Sequence, residues 1–162
     1  MTIWAPVISP MELGEAAQVA ALLKSVIEST DYYNDRAKRE EIAKYSGKDL
    51  EDEVAADPNA VLVARLAGEI AGLCISRYDD GLLWLSWFCT SGVHRGRGIG
   101  LSLLEALGTT LTIRKAHKIW CDTRSDNARA QRVLARAGFV RLCDLRNHWY
   151  GQDFVLWEWT PR

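Results

Sequence analysis

The sequence predicts a mixed three-layer α/β fold, in which helices cover both faces of a central sheet. The first indication is the order of its patterns: an early pair of helical patterns, three consecutive β-rich runs, and then β and helical patterns in alternation. The second is the composition, because 48% apolar and 25% charged residues in a chain of 162 are typical of one globular domain. The third is that no internal repeat or low-complexity tract divides the chain, so we expect one domain over residues 1–162.

The N-terminal third is predicted to be helical. Ser9-Pro10-Met11-Glu12 has the pattern of a capping box with proline at the first helical position, and apolar residues follow at helical spacing as far as Ser29. After a polar and aromatic segment at 30–35, a strongly charged helical pattern runs from about Arg36 to Ala56, where Asp57-Pro58 ends it. We expect this second helix to lie against one edge of the core.

Three consecutive strands are predicted next. Val61–Leu66 and Ile70–Tyr78 form a hairpin around Ala67-Gly68-Glu69, and the turn Asp79-Asp80-Gly81 leads into Leu82–Thr90. The third strand is apolar on both sides, so we expect it at the centre of the sheet. Simple alternation assigns its side chains to two faces: Leu83, Leu85, Trp87 and Cys89 on one, and Trp84, Ser86, Phe88 and Thr90 on the other.

The second half of the chain alternates between helix and strand. A glycine-rich turn opens a helix with apolar positions from Ile99 to Leu111, and Ser125 or Asp126 is expected to cap a later helix that Gly138 ends. The remaining predicted strands are Lys118–Asp122, Val140–Arg146 and Phe154–Trp159.

Several special classes of protein are disfavoured by the sequence. The longest stretch without a charged side chain, Gly81–Val93, has 13 residues, whereas a membrane-spanning helix needs about 20. Met1–Pro6 has neither the basic region nor the apolar core of a secretory leader, so we expect a cytoplasmic protein with no membrane partner. No histidine has metal-ligand spacing, and we expect no metal. The four cysteines are interpreted as reduced core residues: Cys74, Cys89, Cys121 and Cys143.

Charge is unevenly distributed along the chain, although the formal net charge is only -1. Residues 1–80 carry 8 basic and 15 acidic side chains, whereas residues 93–146 carry 11 basic and 4 acidic ones. The basic half is therefore expected to bind an anion. Charge alone does not choose between a nucleic acid and a phosphorylated small molecule.

A glycine-rich loop follows the predicted central strand. Val93-His94-Arg95-Gly96-Arg97-Gly98-Ile99-Gly100-Leu101 contains alternate glycines, which let the backbone approach a ligand, and the amides of the next helical turn favour a phosphate. The loop is not a P-loop, because no Gly-Lys-Ser/Thr follows. Its third glycine also falls one residue too early for a dinucleotide-binding motif.

These motifs, taken in order, resemble the GNAT superfamily of acyl-CoA-dependent N-acyltransferases. Arg95-x-x-Gly98-x-Gly100 follows a strand, Asn127-x-x-Ala130 comes 27 residues later, and Gly138-Phe139 follows. The hairpin at 61–72 and the closing segment Asp153–Trp157 are also similar to this family. The resemblance implies a central mixed, mostly antiparallel sheet of six to seven strands flanked by about four helices. It further implies transfer of an acetyl group from acetyl-CoA to a primary amine, on a small molecule or a peptide N-terminus, without a covalent enzyme intermediate.

The resemblance also assigns cofactor-binding positions. Pantetheine is expected to pair with the main chain at the end of the central strand, and the pyrophosphate to lie on the amides of the glycine loop. Asn127 is expected near the pantetheine arm, and Arg129, Arg132 or Arg136 near the 3'-phosphate. The cofactor-binding residues implied in this way are Phe88, Cys89, Thr90, Arg95, Gly96, Arg97, Gly98, Ile99, Gly100, Leu101 and Asn127.

Leu134 departs from the family pattern. Many members carry at this position a tyrosine that protonates the departing thiolate, so another group must supply the proton: Tyr150, Tyr32, Tyr33 or a water. Tyr150 is the catalytic acid that we expect, and His148 is the expected general base because its ordinary pKa suits the task. Acidic residues acting through water are alternative bases: Asp79, Asp80, Glu28 and Asp31.

The acceptor site is expected between two loops, at 29–35 and 146–152, as is common in this fold. Asp31 would attract a cationic amine, and Tyr32 and Tyr33 would pack against its apolar part.

Two other classes of function stay open. A non-catalytic acyl-CoA-binding regulatory domain would keep the glycine loop and lack the acid, as Leu134 suggests. A nucleic-acid-binding module is disfavoured, because the basic side chains are not interleaved with aromatic ones. The sequence leaves open whether the chain forms a homodimer.

Overall fold

The computed structural model describes residues 5–162 and contains a seven-stranded sheet with strand order β1-β2-β3-β4-β5-β7-β6. Neighbouring strands are antiparallel, except for the parallel pair β4 and β5. This confirms the predicted mixed, mostly antiparallel sheet with the strand 82–90 at its centre. The strands are β1 Val7–Pro10, β2 Val61–Leu66, β3 Glu69–Asp79, β4 Leu82–Thr90, β5 Lys118–Arg124, β6 Val140–Leu145 and β7 Phe154–Trp159. Residues 1–4 lie outside the described residues. They form most of Met1–Pro6, the segment that lacks the features of a secretory leader.

Helices cover both faces of the sheet, as predicted. On one face, α1 and α3 pack over β2 and β3, around a core that includes Leu23, Leu50 and Leu73. On the other face, α4 packs over β2, β3 and β4, around a core that includes Leu103 and Leu107. The α-helices of the described residues are α1 Ala16–Ser29, α2 Asp35–Ala43, α3 Gly47–Ala56, α4 Ile99–Thr109 and α5 Ala128–Arg136. None of the helices within residues 5–162 has both the length and the apolarity that crossing a membrane requires.

The predicted start of the first helix is wrong. Residues Val7–Pro10 form β1, which pairs with β2 at the edge of the sheet, and the side chain of Ser9 accepts a hydrogen bond from Arg65. The capping box lies three residues later, where Glu12 and Glu15 open a short 3-10 helix before α1. Pairing with a strand that is distant in sequence therefore overrides the local helix-start signal.

The predicted charged helix is two helices, which raises the number of α-helices to five. Ser46 begins the second with a capping box of its own, in which its side chain accepts from the Asp49 backbone at 3.1 Å. The sequence did not reveal the break at residues 44–46, because the stretch has too few apolar residues to show a helical period or its interruption.

The predicted faces of β4 are correct only for its first half. Ile75 lies opposite Trp87 and Ser76 lies opposite Leu85, so Ser86 is an extra residue in a β-bulge. Beyond the bulge the alternation is reversed. Leu83, Leu85 and Phe88 contact the core beneath α4, whereas Trp87 and Cys89 contact the core beneath α1.

The strands β4 and β5 separate halfway along their length. They pair only over four residues each, from Leu82 with Lys118 to Leu85 with Cys121. Past this point β4 stays paired with β3 as far as Thr90, and β5 stays paired with β7 as far as Arg124. A V-shaped slot therefore opens in the middle of the sheet.

The later elements match the predictions closely, with one correction at α5. The N-cap is Asn127, whose side chain accepts a hydrogen bond from the Ala130 backbone at 3.2 Å, and not Ser125 or Asp126. Gly138 follows the helix with a φ of 92°, as expected for a glycine that ends a helix.

The cysteine prediction is only partly correct. All four cysteines are free, and Cys74 and Cys121 are buried. Cys89 is half-buried, and Cys143 is exposed on β6, the edge strand of the sheet.

Close packing at Gly72 tests the contact between β3 and β4, the strand that borders the slot. A Cβ atom there would lie 2.7 Å from the Cys89 carbonyl oxygen and 2.8 Å from Ile99 Cγ2. We expect Gly72→Ala to lower the free energy of unfolding by about 1–3 kcal/mol, measured by urea denaturation, because the methyl group would push β3 away from β4. Gly14→Ala is the matched control, since nothing lies within 4 Å of its Cβ. Equal urea midpoints for the two variants would contradict the packing described.

Candidate functional site

A cavity of about 320 Å³ opens on one face of the sheet, at the point where β4 and β5 separate. Elements that are far apart in sequence form its walls: α2, the second half of β4, the end of β5 and the β6–β7 connection. Its lining residues are Tyr33, Glu41, Lys44, Tyr45, Arg77, Trp84, Ser86, Trp87, Asp122, Trp149, Tyr150 and Phe154.

The bulge in β4 supplies two neighbouring side chains to this cavity. In a regular strand, Ser86 and Trp87 would point to opposite faces. Because Ser86 is the extra residue, both of them line the cavity. The bulge thereby increases the number of groups that β4 contributes to the site.

Glu41 on α2 is held by three donors. Its Oε2 accepts from Trp87 Nε1 at 3.0 Å, and its Oε1 accepts from Lys44 Nζ at 2.7 Å and from the Tyr150 hydroxyl at 2.5 Å. Its side chain is only 15% exposed. Glu41 therefore ties α2 to β4 and to the β6–β7 connection, and its oxygens are already engaged.

Asp122 differs from Glu41 in having a free oxygen. It is the first residue of β5 beyond the last pair with β4, so it stands beside the slot. Its Oδ2 accepts from Trp149 Nε1 at 2.6 Å, and Oδ1 receives no hydrogen bond within the described part of the chain. Burial raises the pKa of the Asp122 carboxyl above its usual value, and the bond from Trp149 opposes this effect. Asp122 can therefore bind a cation or accept a proton.

The two loops expected to wall the acceptor site are brought together. Asn34 Nδ2 donates to the Tyr150 carbonyl at 3.1 Å, and the Asn34 backbone donates to Gln152 Oε1 at 3.1 Å. The Tyr32 carbonyl accepts from Gln152 Nε2 at 3.1 Å and from Arg124 Nε at 2.9 Å. These bonds fix the loops over the slot.

The predicted acceptor residues have three different positions. Tyr33 lines the cavity and packs against Trp87, with ring centroids 5.8 Å apart. Tyr32 lies behind it, and its hydroxyl accepts from Asn127 Nδ2 at 3.1 Å. Asp31 is exposed and is not among the lining residues. The carboxylates that face the cavity are instead Glu41 and Asp122.

The predicted catalytic residues are also separated. Tyr150 lines the cavity, but its hydroxyl donates to Glu41 and accepts from Lys44 at 3.0 Å. Burial and the bond to Glu41 raise the pKa of Tyr150. His148 is exposed, packs on Trp149 with centroids 4.4 Å apart, and does not line the cavity. The two do not share an extended face, because Tyr150 has a φ of 57° within a 3-10 turn.

The alternative bases named from sequence lie outside the cavity. Asp79 ends β3, Asp80 belongs to the β3–β4 turn, and Glu28 forms an exposed ion pair with Lys24 at 3.6 Å. Sequence reasoning missed Glu41 and Asp122. Ile119 and Cys121 are core residues of β5. Strand alternation could therefore have placed Asp122 on the face of the sheet opposite to this core.

The glycine loop has the geometry of an anion site. Gly96 and Gly98 have φ of 76° and 75°, and a Cβ on either would meet nothing within 4 Å, so a ligand can approach both. Gly98 is the N-cap of α4, whose first amides face the loop. Two buried polar atoms at the start of the loop, Ser91 Oγ and His94 Nδ1, have no hydrogen-bond partner among residues 5–162.

Gly100 has a different role from the other loop glycines. It lies inside α4, and its Cβ would contact Val133 Cγ1 of α5 at 3.4 Å. This glycine therefore lets α4 and α5 pack closely. The loop glycines that a ligand can approach directly are Gly96 and Gly98.

The edge of β4 that faces the slot presents free backbone groups. The Ser91 backbone donates to the Ala71 carbonyl at 2.8 Å, on the β3 side. Alternation along an antiparallel strand then directs the amides of Thr90 and Phe88 towards the slot. These amides can pair with an extended ligand or with a developing negative charge.

Comparison with known proteins agrees with this geometry. The sequence profile of the acetyltransferase (GNAT) family matches residues 25–139. The chain belongs to this family. An acetyltransferase of Sodalis glossinidius is 38% identical over 82 residues, which are 49% of this chain and 56% of the relative. The chain thus spans a little over half the length of this curated relative in the match.

Two solved structures share the fold of this GNAT chain. The PaiA N-acetyltransferase from Thermoplasma acidophilum, in complex with coenzyme A, has a TM-score of 0.82 and 15% identity, and the match covers 97% of this chain and 99% of that one. The yncA protein from Salmonella typhimurium, solved with acetyl-CoA, has a TM-score of 0.73 and 19% identity, over 96% and 94% of the two chains. At these identities the likeness concerns the fold, and it confirms the architecture implied by the resemblance.

The glycine loop gives a direct binding test. We expect Gly98→Asp to abolish binding of coenzyme A, measured by calorimetry, because a carboxylate and a side chain would stand where amides face an anion and where φ is positive. Gly98→Asn is the matched control, since asparagine tolerates this backbone conformation and adds no charge. Unchanged affinity in Gly98→Asp would rule out this loop as the phosphate site.

Proposed function

We propose that this chain is an N-acetyltransferase that moves the acetyl group of acetyl-CoA to a primary amine, on a small molecule or at a peptide N-terminus. The amine attacks the thioester directly, without a covalent enzyme intermediate. The observation that carries the proposal is the position of Asp122, whose free carboxylate oxygen stands where the cavity meets the slot.

Binding of the acetyl donor is supported by the slot and by the glycine loop. The amides of Thr90 and Phe88 would pair with the pantetheine arm as a further strand would, and Gly96 and Gly98 leave room for the pyrophosphate. The coenzyme A and acetyl-CoA complexes of the two fold neighbours support the same donor. Of the basic residues on α5, Arg129 is close enough to the Tyr32 hydroxyl to oppose the rise in its pKa that burial causes.

Selection of a cationic acceptor is supported by the lining of the cavity. Asp122 supplies the negative charge, and Trp84, Trp87 and Tyr33 supply aromatic surface against which an amine's apolar part can pack. Asp122 would bind the ammonium form and then accept its proton, which frees the nitrogen lone pair for attack. The raised pKa of the carboxyl brings Asp122 closer to the pH at which a general base is most effective.

Stabilisation of charge on the thioester oxygen would come from the β4 amides that face the slot. The pairing of Ser91 with Ala71 directs the Thr90 amide towards the slot and the Cys89 amide towards β3, so Thr90 is the favoured oxyanion donor. As the carbon–nitrogen bond forms, the carbon–sulfur bond breaks, the nitrogen releases its second proton to solvent water, and the sulfur must take up a proton.

Leu134 cannot deliver that proton, and its surroundings leave no room for a tyrosine. The side chain is fully buried in the core beneath α4, so the larger tyrosine would overpack the core at this position. The acid must therefore come from another element.

Tyr32 is better placed than Tyr150 to be the acid. Its hydroxyl accepts from Asn127 and donates to no group within the described residues, so its proton is available. Burial raises the pKa of Tyr32, which keeps it protonated, while Arg95 and Arg129 oppose the shift and stabilise the tyrosinate that forms. The Tyr150 proton, in contrast, is already donated to Glu41. We infer that Tyr32 protonates the thiolate and regains its proton from solvent.

The role of Asp122 is tested by thiol release with a panel of small amines and peptide N-termini. We expect Asp122→Asn to lower kcat/KM by about 10²- to 10⁴-fold, the range typical of a lost general base. In the wild type, activity falls as pH decreases through the raised pKa of Asp122, because only the ionised carboxylate accepts a proton, and this limb disappears in the variant. Asp79→Asn, at the exposed end of β3, is the control. Coenzyme A binding without thiol release from any amine would favour the non-catalytic regulatory domain instead.

The two tyrosines are distinguished by matched Phe variants. We expect Tyr32→Phe to reduce kcat by at least tenfold with an unchanged Kd for acetyl-CoA, and to remove the alkaline limb of the pH profile, since that limb reports loss of the Tyr32 proton. Tyr150→Phe is expected to raise KM for the amine more than it lowers kcat, because the hydroxyl holds Glu41 and Lys44 in place. The opposite pattern, with wild-type kcat in Tyr32→Phe, would assign the acid to Tyr150.

A further inference from the structure

A second cavity, of about 290 Å³, lies behind the acceptor cavity, between α1 and the α2–α3 turn. Most of its lining is apolar, and Lys24 is its single charged side chain among the residues that the structure describes. The lining residues are Ala20, Ala21, Leu23, Lys24, Ile27, Ile42, Tyr45 and Ser46. Nothing in the chemistry outlined above uses this space.

Tyr45 is the residue that the two cavities share. Its ring is half-buried, and burial raises the pKa of the Tyr45 hydroxyl, an effect that the neighbouring Ser86 side chain opposes. Ser86, the extra residue of the β4 bulge, lines the acceptor cavity together with Tyr45.

The backbone that carries Tyr45 is also fixed. The Tyr45 amide donates to the Ile42 carbonyl at 3.3 Å, at the end of α2. The next residue, Ser46, opens α3 through its capping box with Asp49, in which the Ser46 amide donates to Asp49 Oδ2 at 2.8 Å. A turn whose backbone is held on both sides of Tyr45 in this way gives the ring a defined position.

We propose that Tyr45 sets the maximum length of the acceptor, by closing the acceptor cavity against the second, apolar cavity. The proposal rests on the proposed function and names a feature of its substrate: a primary amine whose apolar group is short. At about 320 Å³ the acceptor cavity is at the small end of ligand sites. Removing the Tyr45 ring would join it to a further 290 Å³ or so of mainly apolar space.

The experiment measures kcat/KM for unbranched primary alkylamines, from propylamine to decylamine, by thiol release. In the wild type we expect the rate to decline once the chain outgrows the first cavity. In Tyr45→Ala the optimum is expected to move to longer chains, with a gain of about fourfold for each additional methylene that is buried. Tyr45→Phe is the matched control, because it keeps the ring, and it should keep the wild-type length limit.

A double variant separates the effect of the second cavity from a general loosening. Ala21 lines only the second cavity and is exposed. Tyr45→Ala combined with Ala21→Met should refill the joined space and restore the wild-type length limit, whereas Ala21→Met alone should leave the limit unchanged. Should Tyr45→Ala fail to fold, Tyr45→Leu supplies the same test with a smaller loss of apolar surface.

Binding measured by calorimetry keeps this proposal distinct from the proposed function. Octylamine should bind Tyr45→Ala at least tenfold more tightly than it binds the wild type, with propylamine affinity changed by less than twofold. The same dependence on chain length in both proteins, in rate or in affinity, would overturn the role of Tyr45. If no amine is acetylated by the wild type, yet octylamine binding follows the expected pattern, the proposed function fails and the partition between the cavities stands.

Discussion

The separation of β4 from β5 is the constraint on which the rest of the site depends. Two parallel strands that stop pairing after four residues leave unpaired backbone groups in the centre of a sheet, where such groups normally bond to a neighbouring strand. The sheet tolerates the gap because β3 and β7 continue to pair with the outer sides of the two strands. An extended ligand can therefore complete the sheet, and the glycine loop that follows β4 is positioned at the end of the same slot.

The bulge at Ser86 connects this slot to the acceptor cavity. One extra residue places Ser86 and Trp87 on the same face, and it moves Phe88 to the opposite face, beneath α4. A single local irregularity thus gives the cavity an aromatic wall, while it preserves the hydrophobic core on the other side of the sheet. Bulges beside functional sites commonly redirect side chains in this manner.

The two half-buried carboxylates of the cavity differ in their hydrogen bonds. Glu41 accepts hydrogen bonds from three side chains. Its carboxylate thereby joins α2, β4 and the β6–β7 connection, which are walls of the cavity. Asp122 accepts from Trp149 alone within the described structure, and its second oxygen receives no hydrogen bond there. The same chemical group is structural in one place and available for chemistry in the other, and the difference lies in the number of donors around it.

The sequence by itself determined the features that depend on neighbouring residues: the hairpin, the central strand, the glycine loop and the helix from Ile99, because periodicity and turn chemistry are local. The tertiary structure decided what depends on contacts across the chain. Pairing with β2 made residues 7–10 a strand, and the register with β3 placed the bulge. Asn127 donates a hydrogen bond to Tyr32, which is 95 positions away in the sequence. Tyr150 donates one to Glu41, which is 109 positions away. No local pattern encodes such bonds, so only the folded chain could show that the Tyr150 hydroxyl donates to Glu41 whereas the Tyr32 hydroxyl accepts from Asn127.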